Sequence, residues 1–107
     1  MLPLGASGFH ILLALADGER HGYSISKEVE ATTDGAIRLG PGSLYRQLKQ
    51  LVVDGWIVES HRPVGDDSRR RTYRLTPWGR RIAQAEAARL EALVRLAHAR
   101  KLLPILA

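Results

Sequence analysis

Between Gly40 and Gly55 one helical face carries Gly42, Arg46, Lys49 and Gln50, with Ser43 and Tyr45 on its flanks. Those side chains suit recognition of a polyanion by charge and hydrogen bonding, and they make or break no bond. Leu44, Leu48, Leu51 and Val52 recur at i, i+4, i+7 and i+8 on the opposite face, which predicts a helix that buries one side. Pro41 suits the first helical turn, where its missing N–H costs nothing, and Gly55 is placed to stop the helix. A helix with a small, polar first turn and cations on its outer face is built to approach phosphates or base edges. The same pattern also describes an ordinary amphipathic surface helix with a solvated basic face.

Other chemistries find less support. Cysteine is absent, so there is no disulfide, thiolate metal site or thiol nucleophile. The four histidines, His10, His21, His61 and His98, share no i, i+3 or i+4 spacing and stand beside no second ligand at metal-site spacing. Gly40-Pro-Gly42 lacks the spacing of a phosphate loop, and Ser43 has no local base. No carboxylate pair stands in a catalytic context. The expectation is a protein that is not an enzyme and that needs neither cofactor nor metal.

Charge is concentrated. Residues 38 to 81 hold ten Arg/Lys against four Asp/Glu, a local +6, while the rest of the chain is at −1 within an overall +5. A block of cation inside the sequence, rather than at a terminus, is the electrostatic footprint of nucleic-acid binding. At 107 residues the chain predicts one unit with a modest core. Its N-terminus lacks the basic stretch of a secretory signal, and no apolar run approaches the roughly 20 residues of a membrane span. A cytoplasmic protein without membrane attachment is expected.

The elements that must position these residues can be read in order. A first helix from about Leu4 to Ala16 is apolar around most of its circumference, through Phe9, Ile11, Leu12, Leu13 and Leu15. Gly22 opens a second helix with Tyr23, Ile25 and Val29 inward and Ser24, Lys27, Glu28 and Glu30 outward; Thr33-Asp34-Gly35 ends it. Ile37 to Leu39 reads as a short extended piece before the third helix. Trp56 to Ser60 and Thr72 to Leu75 read as strands, the second with Tyr73 and Leu75 alternating against Thr72 and Arg74. A polar loop from Arg62 to Arg71 joins them. Thr76 and Pro77 read as N-cap and first residue of a long Ala-rich helix that runs to about Leu103 and stops at Pro104. Trp56 and Tyr73 are expected in the core. Trp78 is read as core, or as packing on the hairpin or lining a ligand pocket.

Three helices followed by a two-stranded hairpin make a winged helix-turn-helix, mainly α with a small β-hairpin. Its second and third helices form the DNA-docking pair, and the hairpin is the wing. Arg46 and Lys49 fall on the third helix, and Arg69, Arg70, Arg71 and Arg74 on the wing. That agreement of charge with fold is stronger than either alone.

At these residues the chain resembles the PadR-type transcriptional regulators, in particular the small class with a single C-terminal helix. The resemblance is carried by His21-Gly-Tyr-Ser-Ile25, Gly42-Ser-Leu-Tyr-Arg-Gln-Leu48, Leu51-Val-Val-Asp-Gly-Trp-Ile57 and Arg70-Arg-Thr-Tyr-Arg-Leu-Thr-Pro-Trp-Gly-Arg80. These pieces stand in the family's order between about residues 9 and 81. The resemblance implies a homodimeric DNA-binding repressor, with DNA contacts from Tyr23, Lys27, Ser43, Tyr45, Arg46, Lys49, Arg69, Arg70 and Arg71. Asp66-Asp67 departs from the family, whose members more often carry Gly and Arg at the wing tip. Read from position alone, Tyr45 is either a phosphate-contacting hydroxyl or a half-buried flank residue, and Tyr23 divides in the same way.

The last helix argues for a partner. From Pro77 to Leu103 it would span about 40 Å, more than a unit of this size can cover. Leu90, Leu93, Val94 and Ala97 make an apolar stripe at i, i+3, i+4 and i+7, and Leu102, Leu103, Ile105 and Leu106 extend it. A symmetric dimer would cover that surface, as would a fold-back of the tail onto its own domain. The expected organisation is a DNA-binding unit over residues 1–76 and a dimerisation helix over residues 77–107. The expected function is sequence-specific transcriptional regulation on double-stranded, palindromic DNA. Any small-molecule effector would have to sit at the dimer interface. The competing reading is a winged-helix protein-interaction module that never touches DNA, which would have no need of arginines on both helix and wing.

Overall fold

Residues 5–60 and 71–104 are described in the computed structural model. Helix α1 (Ala6–Ala14) buries Ile11, Leu12 and Ala14, and Leu15 just past its end is buried with them. Leu13 stays 46% exposed, so the surplus of apolar surface on this helix is real. A two-residue strand β1 (Arg20–His21) leads into α2 (Gly22–Thr32), then α3 (Pro41–Val53), β2 (Ile57–Ser60), β3 (Thr72–Leu75) and α4 (Pro77–Ala99). The sheet is antiparallel, in the order β1-β3-β2, with Glu59 opposite Tyr73 and Arg20 also opposite Tyr73 on the other side.

Strand β1 is a correction to the two-stranded reading. Two polar residues carry no alternation signal, and only their pairing with β3 defines them. The third strand also explains why Thr72 is buried rather than outward. Its hydroxyl donates to Glu19 at 2.9 Å, inside the shelter of β1.

Three helix stops follow one logic. In each, a residue in the left-handed region lets the next N–H reach back five residues, the Schellman arrangement. Asp34 (φ 51°) ends α2, with Gly35 N–H on Glu30 O at 2.8 Å. Gly55 (φ 77°) ends α3, with Trp56 N–H on Leu51 O at 3.0 Å. Lys101 (φ 62°) ends α4, with Leu102 N–H on Ala97 O at 2.9 Å. Helix α4 therefore stops at Ala99, before the Leu103 read from the sequence, because the chain reverses at Lys101 ahead of Pro104. Residues Ile37 to Leu39 form no strand; they are held where Ser26 Oγ donates to Leu39 O at 3.1 Å.

The core joins all the layers: Ile11, Leu12 and Leu15 of the α1 region, Ile25 and Val29 of α2, Leu44, Leu48 and Leu51 of α3, Ile57 and Tyr73 of the sheet, and Ile82 of α4. Two arginines fasten the end of α1. Arg20 donates from Nε to Ala14 O at 2.7 Å and reaches Ser24 and Glu28 on α2, and Arg80 donates to Ala16 O at 2.8 Å. Cations at a helix C-terminus satisfy its open carbonyls and oppose its dipole. Trp56 is partly buried against the core, whereas Trp78 is 44% exposed and is not a core residue.

Candidate nucleic-acid interface

Helix α3 turns its predicted stripe inward. Leu44, Leu48 and Leu51 are buried, and Val52 packs against them. Gly42, Arg46, Lys49 and Gln50 are all exposed on the other side. Among the described residues, neither Arg46 nor Lys49 has a carboxylate within ion-pair distance. Ser43 is only partly exposed. It accepts from Gln47 Nε2 at 3.2 Å while Gln47 Oε1 accepts from Ser7 at 2.8 Å, so Ser43 and Gln47 brace α3 against α1.

Tyr45 stands on the flank of α3, partly in solvent. It is 45% exposed, yet its ring lies over the start of α2 so closely that a Cβ on Gly22 would stand 3.0 Å from the phenolic oxygen. Gly22 thus fixes the spacing of α2 and α3, and Tyr45 keeps its hydroxyl at their shared edge. Tyr23 is not inward: it is 70% exposed on α2, with Lys27 Nζ 5.5 Å from its ring centroid. The N-terminus of α2 is where the chain enters from β1, and only Gly22, Ile25 and Val29 face the core.

From the hairpin, Arg71 reaches the same region. Its Nε lies 3.1 Å from Glu59 Oε1. Glu59 stands directly opposite Tyr73, and Arg71 precedes Tyr73 by two residues, so all three share one face of the sheet. That face meets Tyr45, Lys49 and Val52 of α3, spaced i, i+4 and i+7. The two stripes enclose an open cleft of about 420 Å³ lined by Tyr45, Lys49, Val52, Glu59, Arg71 and Tyr73. Burial first, then the nearby Glu59 carboxylate and Tyr45, hold the Tyr73 phenol above its ordinary value of 10.0, so it remains a neutral donor.

Arg74 lies elsewhere. It alternates to the opposite face of the sheet and borders a hollow with Leu15, Ala16 and Arg80 at the end of α1. Arg69, Arg70, Asp66 and Asp67 fall outside the described residues. Sequence reasoning missed Glu59, whose place opposite Tyr73 depends on a β2–β3 register that no local sequence signal specifies. It also missed Arg20 and Gln47, whose partners are far away in sequence. Among the described residues, no group of three or more His, Asp or Glu could hold a metal ion, and no helix is long and apolar enough to cross a membrane.

On α4 the structure places Leu90 (36% exposed), Leu93, Val94 and Leu96 (each 50%) in solvent, with Ala97 partly covered and Leu102, just past the helix end, 77% exposed. Gly79, Ile82 and Glu86 are buried on the same face one to four turns earlier. The face that α4 lays on its own core therefore continues past the end of that core, along a molecule measuring 55 × 28 × 24 Å.

The family model described as the transcriptional regulator PadR-like family matches residues 11–85. The Mycobacterium tuberculosis transcriptional regulator Rv3488 is 40% identical over 86 residues, covering 80% of this chain and 77% of that protein. An uncharacterized 37.1 kDa protein in transposon TN4556 of Streptomyces fradiae is 42% identical over 77 residues, 72% of this chain. The match spans only 21% of that longer relative. Among solved structures, a transcriptional regulator from Clostridium thermocellum superposes with a TM-score of 0.72 at 27% identity, covering 87% of both chains. Bacillus subtilis PadR in complex with operator DNA superposes at 0.67 with 24% identity, over 78% of this chain and 47% of that one.

Proposed function

This chain belongs to the PadR-like family of transcriptional regulators, and we propose that it binds duplex DNA as a homodimer through α3 and the hairpin. The observation that carries the reading is the meeting of two cationic edges: Arg46 and Lys49 on the exposed face of α3, and Arg71 just before the strand that faces it. Helix α3 would enter the major groove with Arg46 at the base edges, while Lys49, Tyr45 and Arg71 hold the backbone. Tyr23 and Lys27, exposed on α2, lie on the flank where a neighbouring phosphate run would pass. Ser43 contributes its hydroxyl at the first turn of α3. Repression by occupancy of an operator is the regulatory outcome this arrangement serves.

The dimer follows from α4. Its N-terminal half belongs to the core of the DNA-binding unit, and its C-terminal half offers Leu90, Leu93, Val94 and Ala97 to a second copy, with Leu102 just past its end and Leu13 of α1 alongside. A two-fold pairing covers the same surface on both copies and sets two α3 helices against a palindrome. A docking module for other proteins would leave the paired cations on α3 and just before β3 without a purpose. Fluorescence anisotropy on duplexes selected from a random library by the wild-type chain, repeated across salt, tests the reading. Tight, salt-sensitive binding that Arg46→Ala with Lys49→Ala abolishes is expected; salt-insensitive binding, or none, would overturn it.

A further inference from the structure

The cleft between α3 and the base of the hairpin contains a carboxylate where a DNA-facing surface would be expected to carry only cations and neutral donors. We propose that this cleft seats one backbone phosphate and that Glu59 is the positioning residue that aims Arg71 into it. The proposal rests on the DNA-binding reading above and names a contact within it.

The geometry supports that division of roles. Glu59 engages Arg71 at Nε, at 3.1 Å. A guanidinium carries five N–H donors, so its two terminal nitrogens remain available for a second oxyanion. The Arg71 side chain is 47% exposed and the Glu59 side chain 25%, so Glu59 is the more sheltered member of the pair. Lys49, Tyr45, Tyr73 and Val52 line the rest of the cleft. A volume of about 420 Å³ admits a phosphodiester with part of its sugars. An arginine left to itself at such an exposed site would sample many rotamers, and ordering it on binding would cost affinity. The cross-strand carboxylate removes that freedom beforehand. It also cancels part of the cation's charge, which restrains attraction to DNA that is poorly seated.

Two variants that remove the same charge separate positioning from electrostatics. Glu59→Gln keeps an oxygen that accepts from Arg71 Nε, whereas Glu59→Ala keeps none. A pure field effect predicts equal binding by the two. Positioning predicts that Glu59→Ala binds a library-selected duplex about fivefold more weakly than Glu59→Gln, the scale of one partly exposed charged hydrogen bond. In an Arg71→Ala background the two Glu59 variants should bind alike. Single methylphosphonate linkages, which neutralise one phosphate at a time, should abolish the fivefold gap at one backbone position per half-site and leave it elsewhere. Inorganic phosphate at millimolar concentration serves as the free-anion arm. Competition that discriminates the two Glu59 variants on phosphate alone would assign the seat to a free anion instead of DNA and overturn the proposal. Thermal unfolding of each variant identifies any that fails to fold, and Glu59→Val, which suits a strand and also keeps no acceptor, then replaces Glu59→Ala. Equal binding by Glu59→Gln and Glu59→Ala, or a gap that survives every methylphosphonate, overturns the positioning role. A wild-type chain that binds no duplex at all would instead remove the DNA-binding reading itself.

Discussion

A Cβ placed on Gly79 would stand 1.8 Å from the carbonyl oxygen of Trp56. The first turn of α4 therefore lies directly on the backbone at the base of the hairpin. Thr76 completes the junction: its hydroxyl accepts from Gly79 N–H at 2.9 Å and donates to Gly55 O at 2.7 Å, while its own N–H reaches Trp56 O at 3.1 Å. Gly79→Ala must push backbone against backbone, and a loss of about 3 kcal/mol is expected. Thr76→Ala removes a cap without a clash and should cost about 1 kcal/mol. Urea unfolding followed by tryptophan emission measures both, since Trp56 and Trp78 flank the junction. An alanine at 79 that is no more costly than one at 76 would contradict this packing.

Much of the frame was legible in the sequence, and the reasons are local. The i, i+4, i+7 stripe of Leu44, Leu48 and Leu51, the Thr76-Pro77 start of α4 and the Gly55 stop of α3 are each specified within a few residues. What escaped depends on distant partners. Strand β1 exists only because Arg20 and His21 pair with Tyr73 and Thr72. Tyr23 sits one residue inside α2, where a small change of helix phase carries a ring from the core to solvent. Trp78 was read by the usual behaviour of aromatics at junctions, but Gly79 and Ile82, not Trp78, hold the contact with the core. Of the candidate interface, Arg46 and Lys49 could be placed from helical phase. The alignment of Glu59, Arg71 and Tyr73 required the strand register.

Arg46 and Arg71 should fail in different ways. Arg46 stands on the exposed face of α3 without a partner among the described residues, so Arg46→Ala is expected to cost about 1–3 kcal/mol on a selected duplex and to relax preference at one base position. Arg71→Ala should weaken selected and random duplexes alike and lower the salt slope by about one unit. Binding isotherms on both duplexes at several salt concentrations distinguish the two. Equal losses from Arg46→Ala on selected and random DNA would remove its base-reading role.

Tyr73 gives the fold an alkaline sensitivity. Its phenol is held above 10.0 by burial, by Glu59 and by Tyr45, with Arg71 opposing. In the unfolded chain the phenol loses its proton near pH 10, while the folded chain still holds it. The unfolded state then binds fewer protons than the native one, and stability must fall as pH rises through that window. Below the unfolded value the contribution is fully present. In Tyr73→Phe this component is absent, so the stability difference between wild type and variant should shrink between about pH 8 and about pH 10.5. Urea midpoints measured at the two ends test it, and a difference independent of pH would show that Tyr73 titrates as it does in the unfolded chain.

The exposed half of α4 makes the most consequential prediction. Leu93 and Val94 are each half-exposed on a face whose earlier residues, Ile82 and Glu86, are almost fully buried. If a second copy covers the continuation, Leu93→Glu with Val94→Glu places unpaired carboxylates in a desolvated contact, which costs several kcal/mol and splits the pair. Gln84→Glu, on the exposed side of the same helix, adds charge at a position the contact does not use and should leave assembly intact. Sedimentation at roughly ten micromolar should give a dimer for the wild type and for Gln84→Glu, and a monomer for the double variant. Because two half-sites bound together gain avidity over either alone, the monomeric variant should also lose affinity for a palindromic duplex far more than for a single half-site. A loss equal on both duplexes would mean that the substitutions damaged the fold, a case that thermal unfolding would expose. A wild type that sediments as a monomer would leave this face of α4 to a different occupant.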